Sequence, residues 1–373
     1  MTFPEVDAPL RSDTLFDDMI DEEHHVALSR LEIGLVSHVV LDYMHLVCLG
    51  VMRRLIFLWM KGPLVVRQGN AVISAISDKL QHFKNVMPVE FPRKPRSLME
   101  VARWKATEFR QFLLYTGLVA LSGHLPDPMY KNFLLLSVAM HILLHPIRCK
   151  QYNNYAKHLL TSFVEHFAQL YGENMMVYNV HNLVHISDDA KLFGSLDNIS
   201  AFPFENFMRK ILKTVRKPSM PLQQVVKRFQ ESSANSNKKR IRTTQDTCVC
   251  KEHHYGIVPH GVLFDNQYKE VSTNDFCIKT NSKDNCVSFG NEIGLVSNIL
   301  SVASNVWLVY QSFESVDTFF NYPCQSAFLG IFKVRNLSQV IKLKPIEEIT
   351  SKNVILPYQQ GFVVVPLCHS SKN

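Results

Sequence analysis

The chain has 373 residues, 46% of them hydrophobic, and a formal net charge of +7. That length and apolar content suffice for two domains with ordinary cores, and no run of eighteen apolar residues marks a membrane span. Phe133 to Leu144 is the most apolar stretch; it contains His141 and reads as a buried helix. Met1-Thr-Phe-Pro-Glu5 lacks the basic-then-apolar order of a signal peptide. The eight scattered cysteines read as free thiols of a reducing compartment, so an intracellular protein is expected.

Residues 1–41 read as an acidic, irregular segment, the edge of something that begins upstream; residues 1–32 hold nine acids and two bases. From Met44 helical spacing takes over. Asp42 is placed to cap a helix carrying Leu46, Leu49, Ile56 and Trp59, ended by Gly62-Pro63. Ser97-Leu-Met-Glu100 has the form of a capping box opening a helix to Gly117. Asp127-Pro128 opens another that Pro146 closes. Helices follow over Tyr152–Tyr171, stopped by Gly172, and Val177–Phe193, stopped by Gly194. One more spans Pro203 or Phe204 to Val215, and a shorter one Gln223 to Phe229.

Residues 231–247 are polar and basic and read as a linker between a helical domain at 42–230 and a β domain at 248–373. Beyond the linker, Gly256-Ile-Val, Asp275-Phe-Cys-Ile, Glu292-Ile-Gly-Leu-Val, Asn305-Val-Trp-Leu-Val-Tyr, Phe328 to Val334 and Gly361-Phe-Val-Val-Val read as strands of a small barrel or sandwich. The expected class is α+β.

Charge concentrates between residues 209 and 242. Arg209, Lys210, Lys213, Arg216, Lys217, Lys227, Arg228, Lys238, Lys239, Arg240 and Arg242 face one acid, Glu231. Such a block suits a polyanion such as DNA, and equally a solvated basic face. Lys238-Lys-Arg-Ile-Arg242 also has the composition of a nuclear-import signal.

Three local patterns carry chemistry. Leu41-Asp-Tyr-Met-His45 lies at a helix mouth, where Asp42 serves either as a cap or as a functional acid. His181 and His185, four apart, share one helix face, as metal ligands or as polar core residues. Glu205 opens a basic helix and complements its dipole whether or not it does more. Cys248, Cys250, His253 and His254 form a further zinc candidate of atypical spacing.

In their order and spacing, these motifs resemble CACTA-type cut-and-paste transposases. The segment opening Asp42-Tyr-Met-His-Leu-Val-Cys-Leu-Gly-Val-Met-Arg-Arg-Leu is similar to the Asp-x-Met-His helix of that family. Arg93 to Gly117 is similar to a segment of uncharacterised transposase-like proteins, and Tyr178-Asn-Val-His-Asn-Leu-Val-His through Pro203-Phe-Glu-Asn and Val215-Arg resembles the domain that follows the core. The resemblance covers roughly residues 1–232. It implies the helical remnant of an RNase H-like core with its insertion.

Such cores hold two divalent metals, Mg²⁺, on three carboxylates. The resemblance matches Glu205 to the last of these. Asp42 is then either the second catalytic acid or part of a separate Asp-x-x-His motif, in which case Asp42, His45, His181 and His185 form a structural zinc set. Either way at most two of three carboxylates are present, and no strand cleavage is expected. The alternatives are a nuclear protein-interaction scaffold and a nuclease completed by a partner chain.

Overall fold

The chain separates into two compact units, one helical and one that holds the strands together with the last two helices, with two short segments crossing between them in the chain's order. A computed structural model describes residues 2, 3, 5, 11–18, 31–236, 247–303 and 305–368; side chains 17 and 233–236 are outside the description. The first unit takes residues 1–84, 93–200 and 318–329, and the second takes 85–92, 201–317 and 330–373. The division by packing therefore falls at Ser200/Ala201, not within 231–247. It also cuts out two excursions that composition does not announce.

The first unit is built around the helix Asp127–Leu143, whose residues from Asn132 to Leu143 are all buried. A helix apolar on every side belongs at the centre of its unit. Its longest neighbour is Asn153–Tyr171, which buries Ala156, Leu159, Leu160, Phe163, Val164 and Phe167 against it. Three polar side chains inside this core donate to backbone carbonyls. Asn132 Nδ2 donates to Phe163 O at 3.0 Å, Ser137 Oγ to Leu113 O at 2.7 Å, and His141 Nε2 to Leu114 O at 2.9 Å. Leu113 and Leu114 lie in Phe112–Thr116, where the helix opens into wider turns and Gly117 N–H reaches back to Phe112 O. Such a widening frees carbonyls for outside donors.

Several expected boundaries shift for local reasons. Ser97 Oγ does accept from Met99 N–H at 3.2 Å, but it starts only the short turn Leu98–Arg103. The capping acid is Glu108, whose Oε2 accepts from Lys105 N–H at 2.9 Å, and the helix from Ala106 runs through Gly117 to Leu121. Arg96 grips the buried Glu108 through two bonds, at 2.6 and 2.8 Å. The stretch Val177–Phe193 is not one helix. It divides into Tyr178–His181, the tight turn Asn182–Val184 and Ile186–Phe193. Asn182 N–H still reaches Tyr178 O, and Asn182 Nδ2 donates to the same carbonyl at 2.9 Å, after which the turn tightens. Gly172 and Gly194 end their helices as expected, at φ of 94° and 87°.

Residues 318–329 lie outside the helical sequence yet complete the helical unit. Phe328 meets Tyr152 edge-on at 4.8 Å between ring centroids, and Tyr155 Oη donates to Pro323 O at 3.2 Å.

Among the described residues the second unit carries nine strands: β1 Cys248–His253, β2 Asn266–Ser272, β3 Cys277–Lys279, β4 Cys286–Phe289, β5 Glu292–Val302, β6 Asn305–Thr318, β7 Phe332–Pro345, β8 Ser351–Tyr358 and β9 Gly361–Pro366. They form one sheet in the order β1-β2-β5-β4-β8-β9-β7-β6, with β3 beside β2 and a further pairing of β5 with β6. Every register given by paired Cα atoms is antiparallel. Alternation sends Val287 to one apolar cluster, with Val271, Ile299 and Tyr310, and Cys286 to another, with Ile293, Val334 and Val364.

Gly256-Ile-Val is not a strand. Its backbone is engaged by a side chain instead, with Asn298 Nδ2 donating to Ile257 O at 3.1 Å. The strands β1, β2, β4 and β8 lay outside the expected set.

Residues 85–92 enter this unit through ionic contacts. The Lys352 ammonium is wholly buried and donates to both Glu90 oxygens, at 2.9 and 2.8 Å, to Asp284 Oδ1 at 2.9 Å and to Cys277 O at 2.5 Å. Asp284 also accepts from Val89 N–H at 2.9 Å. Burial alone would raise the Asp284 pKa; the Val89 N–H and the Lys352 ammonium outweigh it and hold the carboxyl below its ordinary value.

Candidate functional site

The residues singled out in the sequence fall into two regions, one in each unit. In the first unit the helix Met44–Met52, continued by Arg53–Lys61, begins at Asp42. Asp42 Oδ1 accepts from Met44 N–H at 3.2 Å, and Oδ2 accepts from His45 N–H at 2.9 Å. Oδ2 also meets His45 Nδ1 at 2.5 Å. The carboxylate is thus an N-cap that holds its neighbouring imidazole.

Behind the cap, Tyr43 and Cys48 are fully buried. Burial pushes the Tyr43 hydroxyl well above its ordinary value and the Cys48 thiol up to about 12, so both stay neutral and neither is a nucleophile at neutral pH. The Arg110 guanidinium lies 5.9 Å from the Tyr43 ring centroid and donates to Asp197 at 2.8 Å. Sequence reading missed this pair because its members are 87 residues apart.

His181 and His185 do come together, with ring centroids 5.5 Å apart, although the helix between them is broken. Phe3 lies 5.8 Å from the His181 ring. Burial, reinforced by His181, holds the His185 pKa below its ordinary value and favours the neutral ring. The acids that follow are already engaged: Asp188 pairs with Lys157 at 2.8 Å, and Asp189 accepts from Leu41 N–H at 2.9 Å.

The two pairs sit on adjoining turns, since a Cβ on Gly50 would lie 2.5 Å from Asn179 Nδ2. Among the described residues, however, no three His, Cys, Asp or Glu side chains are grouped as a metal would require. Asp42 and His45 are paired with one another. The Cys248, Cys250, His253 and His254 set is not grouped either. His253 is buried, and neither of its ring nitrogens has a partner.

The second region is a helical hairpin, Phe202–Thr214 followed by Pro221–Ser236. At 100° per residue, Arg209, Lys210 and Lys213 share one side of the first helix, and Phe204, Met208, Ile211 and Leu212 share the other. No residue of this helix is buried. Glu205 lies in its first turn, in a different unit from Asp42.

The turn between the helices is specified by Gln224. Its Oε1 accepts from Arg216 and Lys217 N–H at 2.9 and 3.2 Å, and its Nε2 donates to Lys217 O and Ser219 O at 2.9 and 2.7 Å. Met220 takes a positive φ of 49° to make the bend. Phe207 and Phe229 meet at 5.8 Å between ring centroids. Arg228 pairs with Glu231 at 2.8 Å, whereas no carboxylate among the described residues pairs with Arg209, Lys210, Lys213, Arg216 or Lys217. Lys238, Lys239 and Arg240 lie outside the described residues.

Residues 252–367 match a family described as a domain of unknown function, DUF8592. The match takes in most of the strands and neither of the two regions above. No curated protein and no solved structure matches the chain. Among the described residues no helix is long and apolar enough to cross a membrane.

Proposed function

We propose that the chain is a transposon-derived protein of the CACTA-like kind that binds DNA backbone without sequence preference through the hairpin at 202–236. The observation that carries this reading is the set Arg209, Lys210, Lys213, Arg216 and Lys217, all exposed and, among the described residues, without carboxylate partners: three on one side of the first helix and two on the turn that Gln224 fixes. Cations held in place without counter-charges are suited to phosphates, and phosphate contact alone confers no sequence readout. Lys238, Lys239 and Arg240 would extend the same block and its nuclear-import composition.

In this reading the helical unit is the insertion of an RNase H-like core, and the pairings β5-β4-β8-β9-β7-β6, rejoined by β6 with β5, are those of a small barrel. No strand transfer is assigned to the chain by itself, since Glu205 and Asp42 supply at most two of three carboxylates and Asp42 serves as a cap. Mg²⁺ would enter only with a partner chain that completes the set. The structural zinc of the resemblance would require the Asp42–His45 pair to open; metal analysis of purified protein decides that, and zinc-free protein with unchanged folding in His181→Ala removes it.

The test of the main reading is titration of labelled duplexes of unrelated sequence over a salt series. Equal affinities that fall steeply with salt are expected; absent or salt-insensitive binding overturns the reading. A metal-dependent nick on transposon-end DNA that Glu205→Ala abolishes would overturn the assignment of inactivity.

One observation favours a second reading, a protein-interaction scaffold. Phe204, Met208 and Leu212 are 69%, 56% and 68% exposed along the side opposite the basic residues, and DNA phosphates have no use for them. Capture of one dominant protein partner, insensitive to nuclease, would select it.

A further inference from the structure

Of the eight cysteines, Cys48, Cys149 and Cys286 are buried, and Cys277, Cys324 and Cys368 are half-buried; only Cys248 and Cys250 are exposed. These two are also neighbours. They flank Val249 on β1, and Val249 packs into the apolar cluster of Val271, Ile278 and Val296. Strand alternation therefore sends both thiols to the opposite face. Their sulfurs lie 3.8 Å apart, turned toward one another. The strand that carries them pairs only with β2 and forms the end of the sheet path, so small molecules have open access. Across the ladder Cys250 faces Glu270 and Cys248 faces Ser272, and Lys251 is paired with Glu270 at 2.9 Å.

We infer that Cys248 and Cys250 form a reversible dithiol–disulfide site that exchanges with low-molecular-weight disulfides. The Cys248 thiolate attacks one sulfur of the small disulfide, forms a mixed disulfide and expels one thiolate. Cys250 then loses its proton, attacks the Cys248 sulfur, closes the Cys248–Cys250 bond and expels the second thiolate. The protein loses two protons and two electrons, and the small disulfide becomes two thiols.

Reversibility follows from geometry. Residues i and i+2 of an extended strand have Cα atoms about 6.7 Å apart, near the upper limit that a disulfide spans. A bridge so stretched and so exposed is readily reduced again, the character of an exchanging bond and not of a structural one.

The experiment uses the full chain. Reduced protein is treated with oxidised glutathione, trapped with an alkylating agent and digested with trypsin, which releases Thr243–Lys251 with both cysteines on one peptide. The expected product is that peptide lighter by two hydrogens and free of alkyl groups, restored to two thiols by reduced glutathione. Cys250→Ser should stop the reaction with one glutathione on Cys248. Both sites are exposed, so this variant keeps its fold.

A synthetic 243–251 peptide is the control: the folded chain should close the bond about tenfold more readily, through its higher effective concentration. Alkyl groups or glutathione on both cysteines of the wild type, a bond from either one to a third cysteine, or equal closure in the free peptide would each overturn the inference.

Discussion

Lys352 and Lys213 carry the same charge and live opposite lives. Lys352 is wholly enclosed, and its donors go to Glu90, Asp284 and a backbone carbonyl. Lys213 stands on a helix with no buried residue and no carboxylate partner among the described residues. The first kind of cation is spent on the fold and has nothing to offer a ligand. The second contributes little to stability and is available. Across the whole chain net charge does not distinguish them; partners and burial do.

The largest expected effect tests the spent cation. Lys352→Met leaves two buried carboxylates facing each other without a counter-charge. Breaking a buried ion pair from one side costs about 3–5 kcal/mol, so urea denaturation should show the β unit losing most of its stability. Lys352→Met combined with Glu90→Gln and Asp284→Asn should recover much of the loss. If the single variant is as stable as the wild type, the buried centre does not hold residues 85–92 in place.

Next in size is the response to acid of the buried His141. Burial lowers the His141 pKa from 6.5 to about 4, and the ring is held neutral with Nε2 donating to Leu114 O. A histidine whose folded pKa is depressed stabilises the fold fully above its unfolded value, and that stability drains as pH falls from about 6.5 toward 4. The total is about 3 kcal/mol. His141→Gln keeps a donor but does not titrate, so its stability should change much less over that interval. The depressed Asp284 adds a loss of the same sign at lower pH, below its ordinary 3.8.

The legibility of these features in the sequence follows their range. Helix stops at Gly172 and Gly194, the cap at Asp42 and the basic helix after Glu205 are written within a few residues, and each appears where spacing put it. The broken helix at Asn182 is local too, but a tightened turn within an apolar run is something periodicity does not register. Glu90, Asp284 and Lys352 are a different matter. Each reads as an ordinary surface charge, and they become a centre only because three distant segments meet. The same holds for Arg110 with Asp197, and for residues 318–329, whose place in the helical unit is fixed by Tyr152 and Tyr155. Polar strands such as β1 and β2 were hidden because Lys, Glu and Gln break up their apolar positions and leave no clean alternating run.

On the hairpin the expected changes are in binding and not in stability. Replacing Arg209, Lys210, Lys213, Arg216 and Lys217 together by Ala should flatten the log–log dependence of DNA affinity on salt by about 4, if each neutralises one phosphate. Each substitution should change folding stability by no more than about 0.5 kcal/mol, as expected for surface positions. A hairpin that binds DNA equally well without its five cations would erase the distinction drawn between Lys352 and Lys213.

The smallest effect is at Asp42, the residue with the most contested role. As an N-cap accepting from Met44 and His45 N–H, its replacement by Ala should cost about 1 kcal/mol. Asn accepts the same bonds, so Asp42→Asn should cost only a few tenths, and neither change should alter the metal content of the protein. A functional acid or zinc ligand behaves otherwise: Asn would then be nearly as damaging as Ala, because charge and not hydrogen bonding would be at stake. Thermal denaturation of the two variants, read with their zinc content, separates the roles. Near-equality of Ala and Asn would move Asp42 from the class of Lys352, spent on structure, to the class of Lys213.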